Sequence, residues 1–556
     1  MSSVSNRLLA VASPLLAVLA LFNLWLTLYA CSQFYLYLPS SDTWIYVDFL
    51  AKSAQGQLEI ASLFERHNQT HLIALPKLVY FFDVWLTRGS GWLVVLASLS
   101  ALVTSAAIFI AAVYRSEKLQ RKEKRLFALF GVSVLVSASQ VESLLNPANL
   151  QWSLMVAGAF ITAWFVYRSD EEKKWPNKAG LLAGIFFLAL TSASILFALI
   201  PLVLMNTGRR VAQQAAWLIL GLSVVAIAAV FFWQGENGLS ISELYQRWLK
   251  FTIDFMVPPV ERLHTGFISY FTLFLVLAAL WYFSRLPADY LQGIARFFYF
   301  LLLFSLLVIA STGVVRSHSE TAFTFRFVNV GLLFSLAALS MVYLLETSHR
   351  AIAIVLMATY AVLLTFVSVR EASAFGYGRN HYRLNQIAYG LEIKDPYVVV
   401  SMPGTIWQEQ EYQFVSNNHY KLKEAGIGIY SDPHYQQVGR SIKAISAGAQ
   451  LLPCETRVLK VRHLQTAQAA YKITGQSRSA EGERLTRVLF TDKEGIVRGL
   501  ALPVMSSKQL LQDLWQGKQW AGFVNMEAAS SQQEVLAYAY EGSRLCEATS
   551  IRLPPP

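Results

Sequence analysis

The sequence predicts an α-helical polytopic membrane protein with a C-terminal soluble domain that is mostly β, sandwich-like and of α+β type. Of the 556 residues, 55% are hydrophobic and only 15% are charged, whereas soluble globular chains carry about a quarter charged residues. Long apolar runs fill the chain up to residue 370, and shorter alternating runs follow. The densest basic clusters lie between the apolar runs, so the net charge of +11 indicates loops beside anionic lipid and excludes a nucleic-acid partner.

The apolar runs predict about eleven transmembrane helices, since one crossing needs roughly 20 apolar residues. The predicted crossings are 8–30, 91–114, 126–142, 152–167, 179–191, 195–207, 212–233, 266–283, 295–312, 327–345 and 351–369. The two short crossings at 179–191 and 195–207 keep the basic pair 209–210 on the same side as the charged segment 168–178. One long tilted helix is the alternative that stays open. Because both crossings are short, we expect this hairpin to be packed inside the protein.

Loop charge predicts the orientation of the chain. Segment 115–125, RSEKLQRKEKR, carries six basic against two acidic residues, which is typical of a cytoplasmic loop. With a cytoplasmic N-terminus, the basic loops 115–125, 168–178, 209–210, 285–296 and 346–350 all fall on that side. The first outer loop 31–90, the segments 140–151, 234–265 and 313–326, and the tail fall on the other side.

The opening apolar run is too long for a signal peptide, so it predicts a retained anchor. We therefore predict a multi-pass protein of the bacterial inner membrane. Residues 1–370 would form the transmembrane domain, and residues 371–556 would form a periplasmic domain.

Short runs in the tail predict strands at 397–402, 457–464, 471–476, 485–491, 495–504 and 520–526. Residues 492–495, Asp-Lys-Glu-Gly, predict a hairpin turn, and 506–516 predict a short helix after a serine cap. Cys454 and Cys546 both fall in this domain. An oxidising compartment favours a disulfide between them, and two buried free thiols are the alternative.

The chemistry of the chain is concentrated in residues 41–83, between the first two crossings. This stretch is far more polar than its flanks and contains acidic, basic, imidazole and amide side chains: Asp42, Asp48, Glu65, Arg66, His67, Asn68, His71, Lys77 and Asp83. Such a concentration beside a membrane span favours a functional site.

This layout resembles the GT-C superfamily of integral-membrane glycosyltransferases. Those enzymes move a sugar from a polyprenyl-phosphate carrier to an acceptor outside the membrane, and they carry an acidic residue in a long first outer loop. Asp42, a dozen residues beyond the first span in PSSDTW, occupies that position. The segment 65–83, ERHNQTHLIALPKLVYFFD, is similar to an HNEHR-type stretch of some bacterial members. It departs from them because Asp42 has no adjacent acidic partner, and Gln69 and His71 stand where Glu and Arg would be expected.

The resemblance implies an undecaprenyl-phosphate-linked sugar as donor and an envelope glycan such as O-antigen as acceptor. One carboxylate would take the proton of the acceptor hydroxyl; we choose Asp42, with Asp48 as a second acid. A helix-capping role is the alternative for Asp42. Cations would hold the departing lipid phosphate, and the candidates on the predicted outer face are Arg326, Lys77, Arg66 and Arg316. Ordinary snorkelling is the alternative for Arg326.

Five further residues are candidates for contacts with the sugar: His67, Asn68, His71, Glu142 and Asn146. His67 and His71 are four residues apart and would share a helix face. A divalent metal there stays open beside plain hydrogen bonding, which we favour because no third ligand accompanies the two histidines. No cofactor is otherwise predicted.

Three other functions stay open. An O-antigen polymerase or ligase also joins lipid-linked glycans, but it would be expected to use large outer loops instead of a β domain. A lipid-linked glycan transporter or flippase would need polar residues near mid-membrane, which the sequence largely lacks. A non-catalytic scaffold would leave the polarity of 41–83 unexplained.

Overall fold

The computed structural model describes most of the chain. The described residues are 3–65, 72–172, 174–191, 195–206, 243, 246, 292–316, 328–345, 350–399, 408–447, 451–452, 454–464, 466, 469–479, 485–505, 519–526, 534–541 and 544–555.

The described part of the membrane half consists of helices and the loops between them. They are α1 (Ser3–Phe34), α2 (Val47–Ala54), α3 (Ala74–Thr87), α4 (Trp92–Arg115), α5 (Arg121–Leu135), α6 (Val141–Leu145), α7 (Leu150–Glu171), α8 (Trp175–Thr191), α9 (Ile195–Asn206), α10 (Ile294–Arg316), α11 (Val328–Leu345) and α12 (Arg350–Gly390). The tail adds α13 (Pro396–Val399), α14 (Gln408–Ala425) and α15 (Ile442–Ile445).

Six helices of the described part are long and apolar enough to cross a membrane. They are Val4–Phe34, Trp92–Arg115, Arg121–Leu145, Pro147–Ser169, Ile294–Thr312 and Arg350–Gly390, and the shorter apolar helices Leu196–Asn206 and Val328–Leu344 accompany them. The chain is thus mostly helical, as a multi-pass membrane protein would be. Six is fewer than the eleven predicted, partly because the segments 212–233 and 266–283 lie outside the described residues.

The hairpin predicted at 179–207 forms two separate helices, α8 and α9. Asn206 at the end of α9 accepts a 2.8 Å hydrogen bond from Arg296 at the start of α10. The expectation that this hairpin is packed inside the protein is wrong. Leu182, Phe186 and Val203 are exposed. Within the described residues, α8 packs mainly on α7 and buries one face, which includes Gly184 and Leu188.

The charged loops of the described part gather at one end of the helix bundle, as their charge pattern predicts. Arg115 pairs with Glu172 across 3.7 Å, and Lys118 donates to the carbonyl of Gln292. The buried carboxylate of Glu123 accepts a 2.8 Å hydrogen bond from Arg350. These contacts join the segments 115–125, 168–178, 285–296 and 346–350.

Helix α12 is the element that joins the two halves of the protein. It has 41 residues and is about 60 Å long, so it continues well beyond the predicted crossing at 351–369. The predicted domain boundary at residues 370 and 371 falls inside this helix. Within the bundle, Asn23 of α1 donates to Thr365 of α12 at 3.0 Å, an uncharged interhelical bond of the kind that holds membrane helices together.

The described residues of the tail form one nine-stranded sheet. Its strands are β1 (Leu451–Leu452), β2 (Cys454–His463), β3 (Ala469–Ser479), β4 (Leu485–Thr491), β5 (Val497–Pro503), β6 (Gln519–Met526), β7 (Glu534–Glu541), β8 (Arg544–Cys546) and β9 (Thr549–Arg552). They are ordered β1-β8-β7-β4-β5-β6-β3-β2, with β9 paired to β7. Among the described strands, only the β1–β8 pair is parallel.

The predicted sandwich is wrong, because the described strands form one curled sheet, a half-barrel. The strands at the two ends of the order, β1 and β2, are separated by a single residue in sequence, so the sheet must bend back on itself. Glycines favour this curvature where strands approach closely. Gly499 lies against the backbone of β6, and Gly522 lies against the backbone of β5.

A disulfide joins Cys454 at the start of β2 to Cys546 in β8, which confirms the predicted pairing. It lies where the two ends of the curled sheet meet and links residues 92 positions apart. The predicted turn at 492–495 is also confirmed. Gly495 has a positive φ of 78°, and the carboxylate of Asp492 accepts the amide of Ile496 at 2.8 Å.

The strand predicted at 397–402 is wrong where the structure describes it, because Pro396–Val399 is helical. Asp395 caps this helix by accepting the amide of Tyr397 at 2.8 Å, and Pro396 occupies a first-turn position that suits proline. The helix predicted at 506–516 lies outside the described residues.

Candidate functional site

The chain segment between α1 and Asp42 passes between Gly91 and Gly428. The amide of Leu38 donates to the carbonyl of Gly89, and the amide of Gly428 donates to the carbonyl of Arg88, both at 2.8 Å. A Cβ on Gly91 would overlap the carbonyl oxygen of Leu36, and a Cβ on Gly428 would overlap that of Leu38. Residues 36–38 are therefore enclosed by the start of α4 on one side and the C-terminal region on the other.

Side chains from α12 and the tail hold the same segment. Arg379 donates from Nε to the carbonyl of Tyr35 at 3.3 Å, and Gln386 donates to the carbonyl of Tyr37 at 3.1 Å. The hydroxyl of Tyr37 donates a 2.6 Å hydrogen bond to the carboxylate of Asp432. Burial, followed by the charge of Asp432, raises the pKa of Tyr37, so this hydroxyl stays a donor.

Asp42 lies in a short 3-10 helix, Ser41–Tyr46, directly after this segment. Its side chain is outside the described part, but its backbone is fixed from both sides. The amide of Ser40 donates to the hydroxyl of Thr43 at 2.7 Å, and that hydroxyl donates to the carbonyl of Ser40 at 2.6 Å. The ring of Trp44 packs edge-on against Tyr389 of α12, with 5.2 Å between centroids.

One buried cluster surrounds this short helix. Leu38, Trp44 and Tyr46 belong to it together with residues of α3, α12, α14 and one face of the sheet. The opposite face of the sheet has a cluster of its own inside the curl. The first loop is therefore part of the core of the C-terminal region.

Asp48, predicted as a second acid, lies one helix further on, in α2. Its side chain is 67% exposed and pairs with Lys421 of α14 at 2.6 Å. The hydrogen bond from Lys421 to Asp48 is the largest cause of the raised pKa of Lys421. In this structure Asp48 joins the first loop to the tail.

Lys77 is 3% exposed, and its ammonium donates to the carbonyls of Ser62 and Glu65 at 2.9 and 2.8 Å. It also lies 5.7 Å from the ring centroids of Tyr46 and Phe49. Burial lowers its pKa. Lys77 thus holds the backbone that leads directly into residues 66–71.

The end of predicted span three lies beside the first loop, as the sequence suggests. Tyr80 of α3 donates to the carbonyl of Pro147 at 2.6 Å. Asn146 is buried, and its side-chain oxygen accepts the amide of Ala148 at 3.2 Å. Glu142 is half-buried in α6.

The remaining predicted site residues are outside what the structure describes. Arg66, His67, Asn68, His71 and Arg326 lie in undescribed segments. Arg316 ends α10, but its side chain is likewise not described. Among the described residues, no group of three or more His, Cys, Asp or Glu side chains could hold a metal ion.

Sequence reasoning missed a polar cluster of the tail that contacts the first loop. Asp432 accepts the amide of His434 at 2.6 Å with the carboxylate that also holds Tyr37. Arg487 contacts the Nδ1 of His434 at 3.2 Å and lies over the ring of Tyr540, 4.0 Å from its centroid. The sequence SDPHY signals only an Asp-Pro turn, so its link to Tyr37 could not be anticipated.

The environment of His434 favours its neutral form. Burial is the largest cause of its lowered pKa; Asp432 opposes the shift, whereas Arg487 and Arg383 reinforce it. Because an arginine can only donate, Nδ1 of His434 accepts in the Arg487 contact. Protonation of His434 would therefore break that contact.

No protein-family profile matches the chain, and no curated protein matches it.

Proposed function

We propose that this protein is a membrane glycosyltransferase that takes a sugar from an undecaprenyl-phosphate carrier and transfers it to an envelope glycan. The proposal includes the finer topology: eleven crossings, a cytoplasmic N-terminus, and a periplasmic tail at the bacterial inner membrane. Asp42 accepts the proton of the acceptor hydroxyl. The bond from the sugar to the carrier phosphate breaks as the bond from the sugar to the acceptor oxygen forms.

The observation that carries the proposal is the enclosure of residues 35–46. An acidic residue just past the first span lies on a backbone held by α4, α12 and the tail at once. A general base must be held within hydrogen-bond reach of its proton, and a rigid backbone on three supports suits that task. A scaffold would not need the segment to be enclosed in this way.

The neighbouring helix α3 suits a lipid-linked donor. Its side chains Phe82, Trp85 and Leu86 are exposed, and that of Trp85 is 64% exposed. The carboxylate of Asp83 accepts the amides of Gly91 and Leu93 at 2.8 Å, which fixes the end of α3 at the level where α4 begins. Aromatic and apolar side chains at that level are typical of a membrane interface.

In this proposal Lys77 positions the first loop, because its ammonium is already bonded to two carbonyls. Arg66, Arg316 and Arg326 are the candidates that contact the donor phosphate. The described spans also favour an enzyme over a transporter. Within the described parts of the predicted crossings, charged residues stand near the ends, and the Asn23–Thr365 bond is uncharged, whereas transport pathways carry charged groups near mid-membrane.

The test is turnover in vesicles that contain the purified protein. A panel of undecaprenyl-phosphate-linked sugars is supplied with isolated envelope glycan, and mass spectrometry follows the release of undecaprenyl phosphate. Removing a general base costs roughly 10²- to 10⁴-fold in rate, so Asp42→Asn should lose activity by that factor. Glu59→Gln, which neutralises an exposed carboxylate of the same loop, should keep most of it. No turnover of any donor by the wild type would contradict the proposal.

The topology is tested on the full chain with single cysteines at two exposed positions. Gln436→Cys lies in the tail, and Lys122→Cys lies in the charged loop at the other end of the bundle. A membrane-impermeant maleimide applied to cells with a permeabilised outer membrane should label the first and spare the second. Labelling of Lys122→Cys alone would mean that the orientation is opposite to the proposed one and that the candidate site faces the cytoplasm.

A further inference from the structure

The face of the sheet that packs against the first loop continues into a strip of positive charge. Phe523 of β6 belongs to the buried cluster that contains Trp44. Lys472 of β3 lies over the ring of Phe523, 5.9 Å from its centroid. Arg462 of β2 is paired directly with Lys472, and Lys460 is paired with Thr474.

A fourth cation extends the strip. The register shift between Val458 and Lys460 keeps Arg457 on the same face as Lys460 and Arg462, since side chains alternate along a regular strand. We call Arg457, Lys460, Arg462 and Lys472 the cationic strip. Its members on β2 are exposed, and Lys472 is half-buried.

The cationic strip lowers the stability of the folded protein when no ligand is bound. Like charges directly opposite each other on two strands are destabilising, and the paired positions of Arg462 and Lys472 put two cations there. Burial, followed by Arg462 and Lys460, lowers the pKa of Lys472. An anion bound between these side chains would remove the repulsion, so the charges complement an acidic ligand.

The position of the strip separates it from the lipid surface. The ring of Phe34, at the end of α1, lies against Gly376 of α12, and Asn525 donates to the carbonyl of Leu391 at the end of α12. Gly376 and Leu391 are 15 residues apart, which corresponds to about 22 Å along the helix axis. Lys472 lies over Phe523, two residues from Asn525. Polar headgroups extend only about 5–8 Å beyond the hydrocarbon, so the strip faces the aqueous side.

We infer that the cationic strip binds an acidic glycan, one that carries carboxylate or phosphate groups, and presents it beside the first loop. The assignment of that glycan as the acceptor rests on the proposed function. Guanidinium and ammonium groups bind such anions through charge-assisted hydrogen bonds, and the adjoining apolar face leads directly towards Trp44. The strip therefore selects an acidic acceptor over a neutral one.

The test measures binding to the full-length protein in phosphatidylcholine nanodiscs. The probe is trigalacturonic acid, with maltotriose as a neutral oligosaccharide of the same length. The test variant is Lys460→Gln/Arg462→Gln/Lys472→Gln. The matched control, Arg440→Gln/Lys443→Gln/Arg552→Gln, removes the same charge from exposed positions elsewhere. A double variant, Lys460→Gln/Arg462→Gln, changes only exposed side chains. It tests the strip even if the substitution at the half-buried Lys472 disturbs folding.

Wild type and control should bind the acidic probe and not maltotriose, and binding should weaken with salt. The strip variant should bind roughly 30- to 100-fold more weakly, and the double variant should be intermediate. Equal binding of the acidic probe by the strip and control variants would overturn the inference, as would a wild type without salt-dependent binding. A third contradicting result would be that the strip substitutions weaken binding only to anionic lipid vesicles. Self-association of the strip variant without a change in binding would instead assign the charges to protection of the edge strand.

The inference and the proposed function fail separately. If the strip does not bind the acidic probe but Asp42→Asn abolishes transfer, only the inference that the acceptor is acidic is refuted. A strip that binds the probe while Asp42→Asn leaves transfer intact would refute only the role of Asp42.

Discussion

The hydroxyl of Tyr37 donates a 2.6 Å hydrogen bond to the buried carboxylate of Asp432, a residue 395 positions later in the chain. Tyr37 belongs to the segment that carries Asp42, and Asp432 belongs to the tail. The bond therefore joins the predicted catalytic segment to the C-terminal region, and it makes the geometry at Asp42 depend on both halves of the protein.

Tyr37→Phe should lower both stability and activity. It removes one hydrogen bond to a charged group and leaves a buried carboxylate oxygen without that partner, at a cost of about 1.5–3 kcal/mol. Thermal unfolding in detergent measures the effect. The control is Tyr397→Phe at an exposed position, which should change neither. Equal melting temperatures for the two variants would show that the Tyr37 bond contributes nothing.

Gly428→Ala should be far more damaging than Gly426→Ala. Both residues have positive φ, 64° and 62°, so both alanines are strained by about 1–2 kcal/mol. A Cβ at Gly426 meets nothing within 4 Å, whereas one at Gly428 overlaps the carbonyl of Leu38. The extra overlap should cost about 1–3 kcal/mol more. Chemical unfolding of the two variants tests this, and similar losses would mean that the close approach to Leu38 is not maintained.

Mild acid should weaken the junction between the first loop and the tail. His434 has a pKa below the ordinary 6.5 in the folded protein, so the unfolded chain binds its proton first as the pH falls. The free energy of unfolding should therefore drop below about pH 6.5, by at most about 1.4 kcal/mol between pH 7.5 and 5.5. Melting temperatures across this range should lose part of their pH dependence in His434→Gln and keep it in His419→Gln. The same profile in both variants would exclude His434 as the cause.

Loss of the Cys454–Cys546 disulfide should destabilise the sheet. The bond closes a loop of 92 residues, and removing a native disulfide typically costs about 2–5 kcal/mol. Cys454→Ser/Cys546→Ser should unfold earlier and become insensitive to dithiothreitol, whereas the wild type should lose stability when reduced. Cys31 stays in both proteins and serves as the internal control. A wild type that is equally stable with and without dithiothreitol would argue against the bond.

Apolar periodicity and turn chemistry are sufficient to predict much of the fold. Runs of apolar residues locate α1, α4 and α7, because a span needs length and little else. Alternation locates β3 to β6, and Gly495 marks the turn between β4 and β5. The compartment and the cysteine pair predict the disulfide.

The rest depends on contacts between residues far apart in sequence. The end of α12 reads as a polar segment after a span, yet it stays helical because Ile387 and Tyr389 are buried against the first loop and the sheet. The curl of the sheet depends on which strands pair, and local alternation does not determine that pairing. The helix Pro396–Val399 is the exception, because its signal is local. Asp395 before Pro396 is a helix-capping signal, whereas the β-propensity of the valines favours the strand predicted at 397–402.

For the candidate site, the sequence indicates where the polar stretch lies but not what it contacts. The sequence singled out the stretch 41–83 from its polarity, and the structure places its described part against α12 and the tail. It could not predict that Lys77 binds two carbonyls or that Asp48 pairs with Lys421. The partners of Lys77 are backbone carbonyls, which a pattern of side chains does not mark, and the partners of Asp48 and Tyr37 are more than 300 residues away.

The most direct test of the central claim is mass spectrometry of the envelope glycan from cells that carry wild type, Asp42→Asn or no copy of the protein. Cells that carry Glu59→Gln, a change at an exposed acid of the same loop, serve as the control, and all variants are compared at equal protein level. The account predicts that Asp42→Asn cells lack the same sugar as cells without the protein, and that Glu59→Gln cells retain it. A glycan from Asp42→Asn cells identical to that of wild type would contradict the account.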